Sequence, residues 1–96
     1  MDEKKEAYQK QAEAELKKWD AEIQKLKAKA EQAEAEAKIK YMDQVEKLKE
    51  KKKTFENKLA ELKASSSDAW QDVKVGLDKA YSELKSSLES AREKYK

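Results

Sequence analysis

Apolar and small residues recur along the first part of the chain at alternating steps of three and four residues. We call these positions the seam. Between Leu16 and Ala37 the seam has no slip, and Glu and Lys occupy most of the positions around it. Its members are Leu16, Trp19, Ile23, Leu26, Ala30, Ala33 and Ala37. Such steps are typical of the a and d positions of a heptad repeat. Because a single helix cannot bury so narrow a stripe, the pattern predicts a long helix that packs against another helix.

The seam continues beyond these residues with one change of spacing. Tyr41 and Val45 follow at steps of four and Leu48 at a step of three, after which heptads resume. Four extra residues of this kind predict a stutter, which locally unwinds a left-handed supercoil. Lys52 falls on a seam position. A polar residue there can fix the register of the helices, or it can mark a point where the seam is open to water.

The segment 28–37 has only alanine at its seam positions. Small side chains allow a neighbouring backbone to approach closely, and this suits an antiparallel partner. Alternatively, the segment is a weak part of the seam that stays helical through the high helix propensity of alanine. The sequence alone supports both interpretations.

The segment 65–68, Ser-Ser-Ser-Asp, is the main break signal. Serine favours helix caps over helix interiors. Asp68 and Gln71 have the spacing of a capping box, and Ser67 is an equally good cap. The predicted division is a heptad coiled-coil helix over 1–64, a turn over 65–67 and an amphipathic helix over 68–96. Since no Gly or Pro forces the turn, one continuous helix is the alternative.

The last part of the chain repeats with a period of eleven residues. The blocks 67–77 and 78–88 align, and a third begins at Glu89. The aligned positions are Ala69, Ala80 and Ala91; Trp70, Tyr81 and Arg92; Val73, Leu84 and Tyr95; and Leu77 with Leu88. Eleven residues in three turns give a nearly straight stripe, broader than an a/d seam. This face, within residues 69–95, is expected to pack on the long helix, to lie on a membrane surface, or to bind another protein.

Helix lengths and charge predict self-association. A first helix of about 62 residues would be about 93 Å long, and a second of about 28 residues about 42 Å. Folded back on the first, the second would cover only residues 36–64. The seam over 12–37 would stay bare, which predicts a homo-oligomer, a dimer or larger. Residues 1–37 carry a net charge of −2 and residues 38–63 a net charge of +4, and this favours antiparallel pairing.

Composition narrows the chemistry. The chain has 96 residues, 46% of them charged, a net charge of +2, and no Cys or His. It therefore lacks thiolates and the commonest general base and metal ligand. Pairs such as Glu31 and Glu34 are expected by chance at this Glu content. We expect no enzyme, no catalytic, cofactor or metal residues, and no nucleic-acid binding, because no one-sided basic stripe dominates.

Location follows from the same absences. No window approaches the roughly 18 apolar residues of a membrane span. The first six residues contain no apolar run, so no secretory signal is expected. These features predict a cytoplasmic protein.

Two segments resemble a known family. They are KKWDAEIQKLKAKAEQAEAEAKIKY (17–41) and KLAELKASSSDAWQDVKVGLDKAYSELKSSLESA (58–91). Both are similar to small bacterial coiled-coil proteins of the stress response. The resemblance implies a cytoplasmic helical protein linked to stress conditions, with no established molecular activity and no site residues to carry over.

The sequence as a whole predicts an all-α, self-associating chain in which a long coiled-coil helix is followed by a shorter amphipathic helix as a helical hairpin. The expected function is a structural or interaction protein of the stress response that acts through helix–helix contacts. One alternative is a peripheral lipid-binding protein. A second is a desiccation-type protectant, disordered in dilute solution, although the regular seam argues against it.

Overall fold

Three helices account for almost all of the chain between residues 3 and 94, which are the residues that the computed structural model describes. They are α1 (Glu3–Glu31), α2 (Ala35–Ala64) and α3 (Trp70–Lys94). These residues contain no strand, and the all-α prediction is confirmed. α2 runs antiparallel to both neighbours, so α1 and α3 are parallel to each other. The bundle measures 52 × 18 × 17 Å.

The single helix predicted over residues 1–64 is wrong, because the chain reverses at residues 32–34. The amide of Ala33 donates to the carbonyl of Ala30 at 3.1 Å, and this bond closes the end of α1. Glu34 then takes an extended conformation, with φ −68° and ψ 160°. α2 begins one residue later, and the Glu34 side chain makes no capping hydrogen bond.

Burial, not a turn-forming residue, stabilises this reversal. No residue between 3 and 94 has a positive φ. Ala30 is completely buried, because its small side chain lets the returning chain approach closely. Folding back buries apolar faces of both helices at once, and this gain offsets the helical hydrogen bonds lost at the turn. The alanine segment therefore supports close packing against an antiparallel neighbour.

The predicted seam positions form most of the core of α1 and α2. Their buried residues are Ala12, Trp19, Ile23, Leu26 and Ala30 in α1, and Val45, Leu48, Phe55, Leu59 and Leu62 in α2. The change of spacing near Tyr41 lies in the first turns of α2. Because α2 is a separate helix, its apolar positions need not keep the heptad phase of α1. The change of spacing therefore does not mark a stutter within one continuous supercoil.

The second reversal agrees with the turn predicted at residues 65–67. The Ser65 amide donates to the Leu62 carbonyl at 3.2 Å, and the Ser65 hydroxyl donates to the same oxygen at 2.6 Å. These two bonds satisfy a carbonyl at the end of α2 that has no helical partner. α3 begins at Trp70, two residues later than predicted.

Ser66 provides the hydrogen bonds that delay the beginning of α3. Its Oγ accepts a bond from the Ala69 amide at 3.2 Å, and its carbonyl oxygen accepts bonds from the amides of Ala69 and Trp70. The preceding segment is therefore a turn, and Ser66 takes the capping role that we expected of Ser67 or Asp68.

Most of the eleven-residue stripe of α3 is buried against the other two helices. Its buried members are Trp70, Leu77, Ala80, Leu84, Leu88 and Ala91. Tyr81 is half-buried, whereas Ala69 and Arg92 are exposed, so the stripe is narrower than predicted. Tyr95 lies outside the described residues. This face packs within the chain, as the first of the three interpretations expected.

The seam over residues 12–37 does not stay bare, since Ile23 and Leu26 are 1% and 5% exposed within a single chain. The helix lengths therefore no longer predict a homo-oligomer. α2 and α3 cover this face because the chain reverses twice. Any case for self-association must therefore come from the outer surfaces of the bundle.

Candidate functional site: the groove between α1 and α3

α1 and α3 are the loosely packed pair of the bundle. α2 lies close to both of them along its length, whereas α1 and α3 approach each other closely at few points. Long side chains span the gap between their backbones. The result is a groove that runs along one side of the bundle, and we call it the α1–α3 groove.

Aromatic rings form the inner part of this groove. The ring centroids of Tyr8 and Trp70 are 6.3 Å apart, and those of Trp19 and Tyr81 are 4.9 Å apart. Trp19 also meets Phe55 of α2 edge-on at 5.1 Å. Such tilted contacts are favourable beyond their buried area. They fix α1 and α3 at a distance that leaves open space between the rings.

Polar contacts join α1 and α3 at one end of the groove. The Tyr8 hydroxyl donates a hydrogen bond to Asp78, and the Lys74 ammonium lies 5.2 Å from the centre of the Tyr8 ring. Lys74 is also 3.8 Å from Asp78. Burial and the bond to Asp78 raise the pKa of the Tyr8 phenol above its ordinary value, so this residue stays a neutral donor.

An ion pair ties the other end. Arg92 donates to Oε1 of Glu22, whereas the buried Oε2 of Glu22 has no hydrogen-bond partner among the described residues. The bond to Glu22 raises the pKa of the Arg92 guanidinium. Because Arg92 is on α3 and Glu22 on α1, the pair joins the helices where aromatic contacts end.

Two neighbouring cavities lie between these ends. We call the first the acidic cavity; its volume is about 270 Å³, and its lining is Tyr8, Gln11, Ala12, Glu15, Phe55, Asp78 and Tyr81. We call the second the basic cavity; its volume is about 160 Å³, and its lining is Glu15, Lys18, Trp19, Tyr81, Lys85, Leu88, Glu89 and Arg92. Both cavities are open to the surface, and Glu15 and Tyr81 line both of them.

The charges of the two cavities differ in sign. Glu15 and Asp78 line the acidic cavity and no Lys or Arg does, while Lys74 pairs with Asp78 from beside it. Lys18, Lys85 and Arg92 line the basic cavity with Glu15 and Glu89, and Arg92 is paired with Glu22. The groove therefore changes from acidic to basic along its length.

Ion pairs join α1 and α2 along the contact between these two helices. Lys52 lies 2.5 Å from Asp20 of α1 and 3.5 Å from Glu56, with 23% of its side chain exposed. The hydrogen bond to Asp20 raises the pKa of Lys52. Lys52 thus contacts a specific residue of the neighbouring helix, which favours the register interpretation of its seam position.

Several residues singled out in the sequence lie outside the groove. Glu31 and Glu34 flank the first turn and are exposed, and Ser65 to Ser67 form the second turn. No group of three or more Asp and Glu between residues 3 and 94 is arranged to hold a metal ion. None of the described helices is long and apolar enough to cross a membrane.

Comparisons with family models, curated proteins and solved structures returned no match. The arrangement of the groove is therefore the basis for a functional conclusion. Sequence reasoning missed Tyr8, because the alternating steps of the seam, continued back from Ala12, reach Gln9 instead. The available signal was that a helix also places residues four apart, such as Tyr8 and Ala12, on one face.

Proposed function

We propose that this protein is a non-enzymatic helical interaction protein that forms a two-fold dimer through the α1–α3 groove. The change from acidic to basic along the groove is the observation that carries the proposal. We also infer that the protein is cytoplasmic and linked to stress conditions. These two inferences rest on the sequence and on its resemblance to small bacterial coiled-coil proteins of the stress response.

The charge pattern of the groove is complementary to itself. A two-fold axis between the two cavities brings the acidic cavity of one copy against the basic cavity of the other. Two-fold dimers use the same surface on both subunits, so each favourable contact occurs twice. Charge complementarity of this kind fixes the orientation and suppresses wrong partners more than it raises affinity.

A lysine side chain fits the acidic cavity. Its ammonium is attracted by carboxylates and by the faces of aromatic rings, and the cavity presents Glu15 and Tyr81 together. Lys85 is exposed and takes part in none of the ion pairs found between residues 3 and 94. It is the side chain that we expect to enter the cavity of the second copy.

Sedimentation equilibrium of single and paired charge variants tests this proposal. The wild-type chain should dimerise at tens of micromolar. Gln11→Lys and Lys85→Glu should each weaken the dimer by about tenfold, since each places like charges opposite one another. The double variant restores an opposite-charge contact and should recover most of the affinity. Lys53→Glu, on the exposed surface of α2, is the matched control.

Two results would overturn the dimer. One is a wild-type chain that stays monomeric at 200 µM. The other is a double variant that associates no better than the single variants, because the charges would then not face each other. Circular dichroism of each variant checks that the bundle itself is intact.

The lipid-binding alternative requires the apolar face of α3 to be exposed. Its apolar face includes Trp70 and Leu77, which are 4% and 0% exposed in the bundle. α3 would have to leave the other two helices before that face could meet a membrane. Flotation with neutral and anionic liposomes distinguishes the two functions: the dimer proposal expects the protein to stay in the soluble fraction. A cooperative thermal melt in buffer would exclude the desiccation-type protectant.

A further inference from the structure

The solvent-exposed side of α1 carries positive charge only. Between residues 7 and 29 every exposed residue is alanine, lysine or glutamine, and no acidic residue is exposed. We call these exposed positions the outer face of α1. Its lysines take part in none of the ion pairs found in the described part of the chain. They are Lys10, Lys17, Lys18, Lys25 and Lys29.

The fold produces this separation of charge. The acidic residues between 7 and 29 are partly buried; Glu15 lines the α1–α3 groove, and the others pair with basic residues of α2 or α3. The pairs are Glu13 with Lys63, Asp20 with Lys52, and Glu22 with Arg92. Glu13 also attracts Lys17, but its larger interaction is the hydrogen bond from Lys63. The sequence showed no one-sided basic stripe, because acidic and basic residues alternate along α1 and are separated only when the helices pack.

The lysines flank a ridge of alanine along the middle of the outer face. The alanines recur every seven residues, at Ala7, Ala14, Ala21 and Ala28, and therefore lie nearly one above another. At about 100° per residue, a side chain three positions later lies about 60° to one side of the ridge, and one four positions later about 40° to the other. Lys10 and Lys17 therefore lie on one side of the ridge. Lys18 and Lys25 lie on the other side.

This composition limits what the outer face can bind. Interfaces between proteins are depleted of lysine and have apolar centres, and a helix that lies in a membrane interface needs bulky apolar side chains. Alanine is the only apolar residue of the outer face. Duplex DNA needs no apolar centre, because lysines at its phosphates supply most of the affinity. Its major groove is about 12 Å wide and admits a helix, so phosphates would lie on both sides of the ridge, as the lysines do.

We propose that the outer face of α1 binds in the major groove of duplex DNA. The alanine ridge faces the floor of the groove, where alanine contacts thymine methyl groups. The two rows of lysines reach the phosphates on either side. Four neutralised phosphates give a slope of about −3.6 for the logarithm of the binding constant against the logarithm of the salt concentration. The affinity should therefore fall about 150-fold between about 50 and 200 mM salt.

Fluorescence anisotropy of a labelled DNA duplex of about 20 base pairs, titrated with the full chain at several salt concentrations, measures this slope. An RNA duplex of the same sequence is the matched comparison. Its major groove is too narrow and deep for the ridge, so it should bind at least about tenfold more weakly. Equal affinity for the two duplexes would overturn the proposal.

Three variants assign the roles of the lysines and of the ridge. Lys17→Gln removes one phosphate contact and should make the slope shallower by about 0.9. Lys53→Gln, at an exposed lysine of α2, is the matched control and should leave the slope unchanged. Ala14→Leu adds bulk to the ridge without changing the charge, so it should weaken DNA binding by about tenfold at an unchanged slope. Equal slopes for the two lysine variants, or an Ala14→Leu variant that binds like the wild type, would overturn the proposal.

Other polyanions are compared under the same conditions. Vesicles that contain phosphatidylserine represent a membrane, and poly-glutamate represents an acidic protein. Binding of either as tight as that of DNA would overturn the proposal and assign the outer face to that partner. Lys85→Glu, which weakens the proposed dimer, should keep the salt slope of the wild type, so the two proposals can fail independently.

Discussion

The substitution Gly76→Ala tests whether the backbone at Gly76 is helical and has room beside it for a side chain. Because glycine has a low helix propensity, α3 is less stable than it would be with alanine at this position. Gly76 is the only glycine of the chain and lies inside α3 with a negative φ. A Cβ at this position would meet the Lys58 side chain at 3.7 Å, which is an ordinary van der Waals contact. Alanine is favoured over glycine in a helix interior by about 0.5–1 kcal/mol. The substitution should therefore raise the free energy of unfolding by that amount.

Urea unfolding followed by circular dichroism measures this change, and the melting temperature should rise by about 4–8 °C for a full 1 kcal/mol. The same substitution in a Lys58→Ala background is the control. Because the gain comes from helix propensity, it should be equal in both backgrounds within about 0.5 kcal/mol. A loss of stability would refute both the helical backbone at Gly76 and the space beside it.

Two further predictions concern the core and an ion pair. Ile23→Ala, at a residue 1% exposed, should lower the free energy of unfolding by about 2–5 kcal/mol. Ile39→Ala, at a residue 73% exposed, should change it by less than about 0.5 kcal/mol. Equal losses in urea unfolding would contradict the assigned core. A hydrogen bond from Lys63 lowers the pKa of the Glu13 carboxyl, and desolvation opposes this shift. The bond therefore stabilises the fold above the unfolded-state pKa of Glu13, and this stabilisation disappears as the pH falls through the lower folded-state pKa. Glu13→Gln should therefore differ from the wild type at pH 7 and converge with it in acid, and a difference that persists at pH 2 would refute this origin.

Much of the fold could be predicted from local pattern. Steps of three and four residues identified Trp19, Ile23 and Leu26 as core residues, and the serine segment located the second turn. These signals are local, because a helix buries residues at fixed intervals and serine competes for the hydrogen bonds of a helix end.

The first turn could not be predicted in this way. Residues 32–34 contain neither Gly nor Pro, and the alanines around them favour helix. The reversal depends on the packing of α1 against α2, which is a property of the whole chain. The change of phase before Val45 was the available signal, and it was compatible with either a stutter or a break.

The candidate groove depended on this turn. The sequence suggested an acidic part and a basic part that meet in antiparallel pairing, with residues 1–37 facing residues 38–63. Within the bundle those segments already face each other in one chain, as the Lys52–Asp20 pair illustrates. The complementary charges of the α1–α3 groove lie instead on α1 and α3. Their proximity follows from two reversals of the chain, so no local pattern could reveal it.

The distance between residues 6 and 64 tests the three-helix fold, since both proposed sites require α1 and α2 to fold back on each other. The adjacent residues are in contact: the Lys5 ammonium donates to the Ser65 carbonyl at 2.6 Å. The chain has no cysteine, so Glu6→Cys and Ala64→Cys introduce two unique spin labels for electron–electron double resonance.

Dilution with excess unlabelled protein removes distances between copies, such as those in an antiparallel pair of long helices. The bundle predicts a distance below about 25 Å that persists on dilution, since packed helix axes lie 8–10 Å apart. A single helix over residues 1–64 would place the labels about 87 Å apart within one chain. A short distance that disappears on dilution would contradict the fold and both proposed sites.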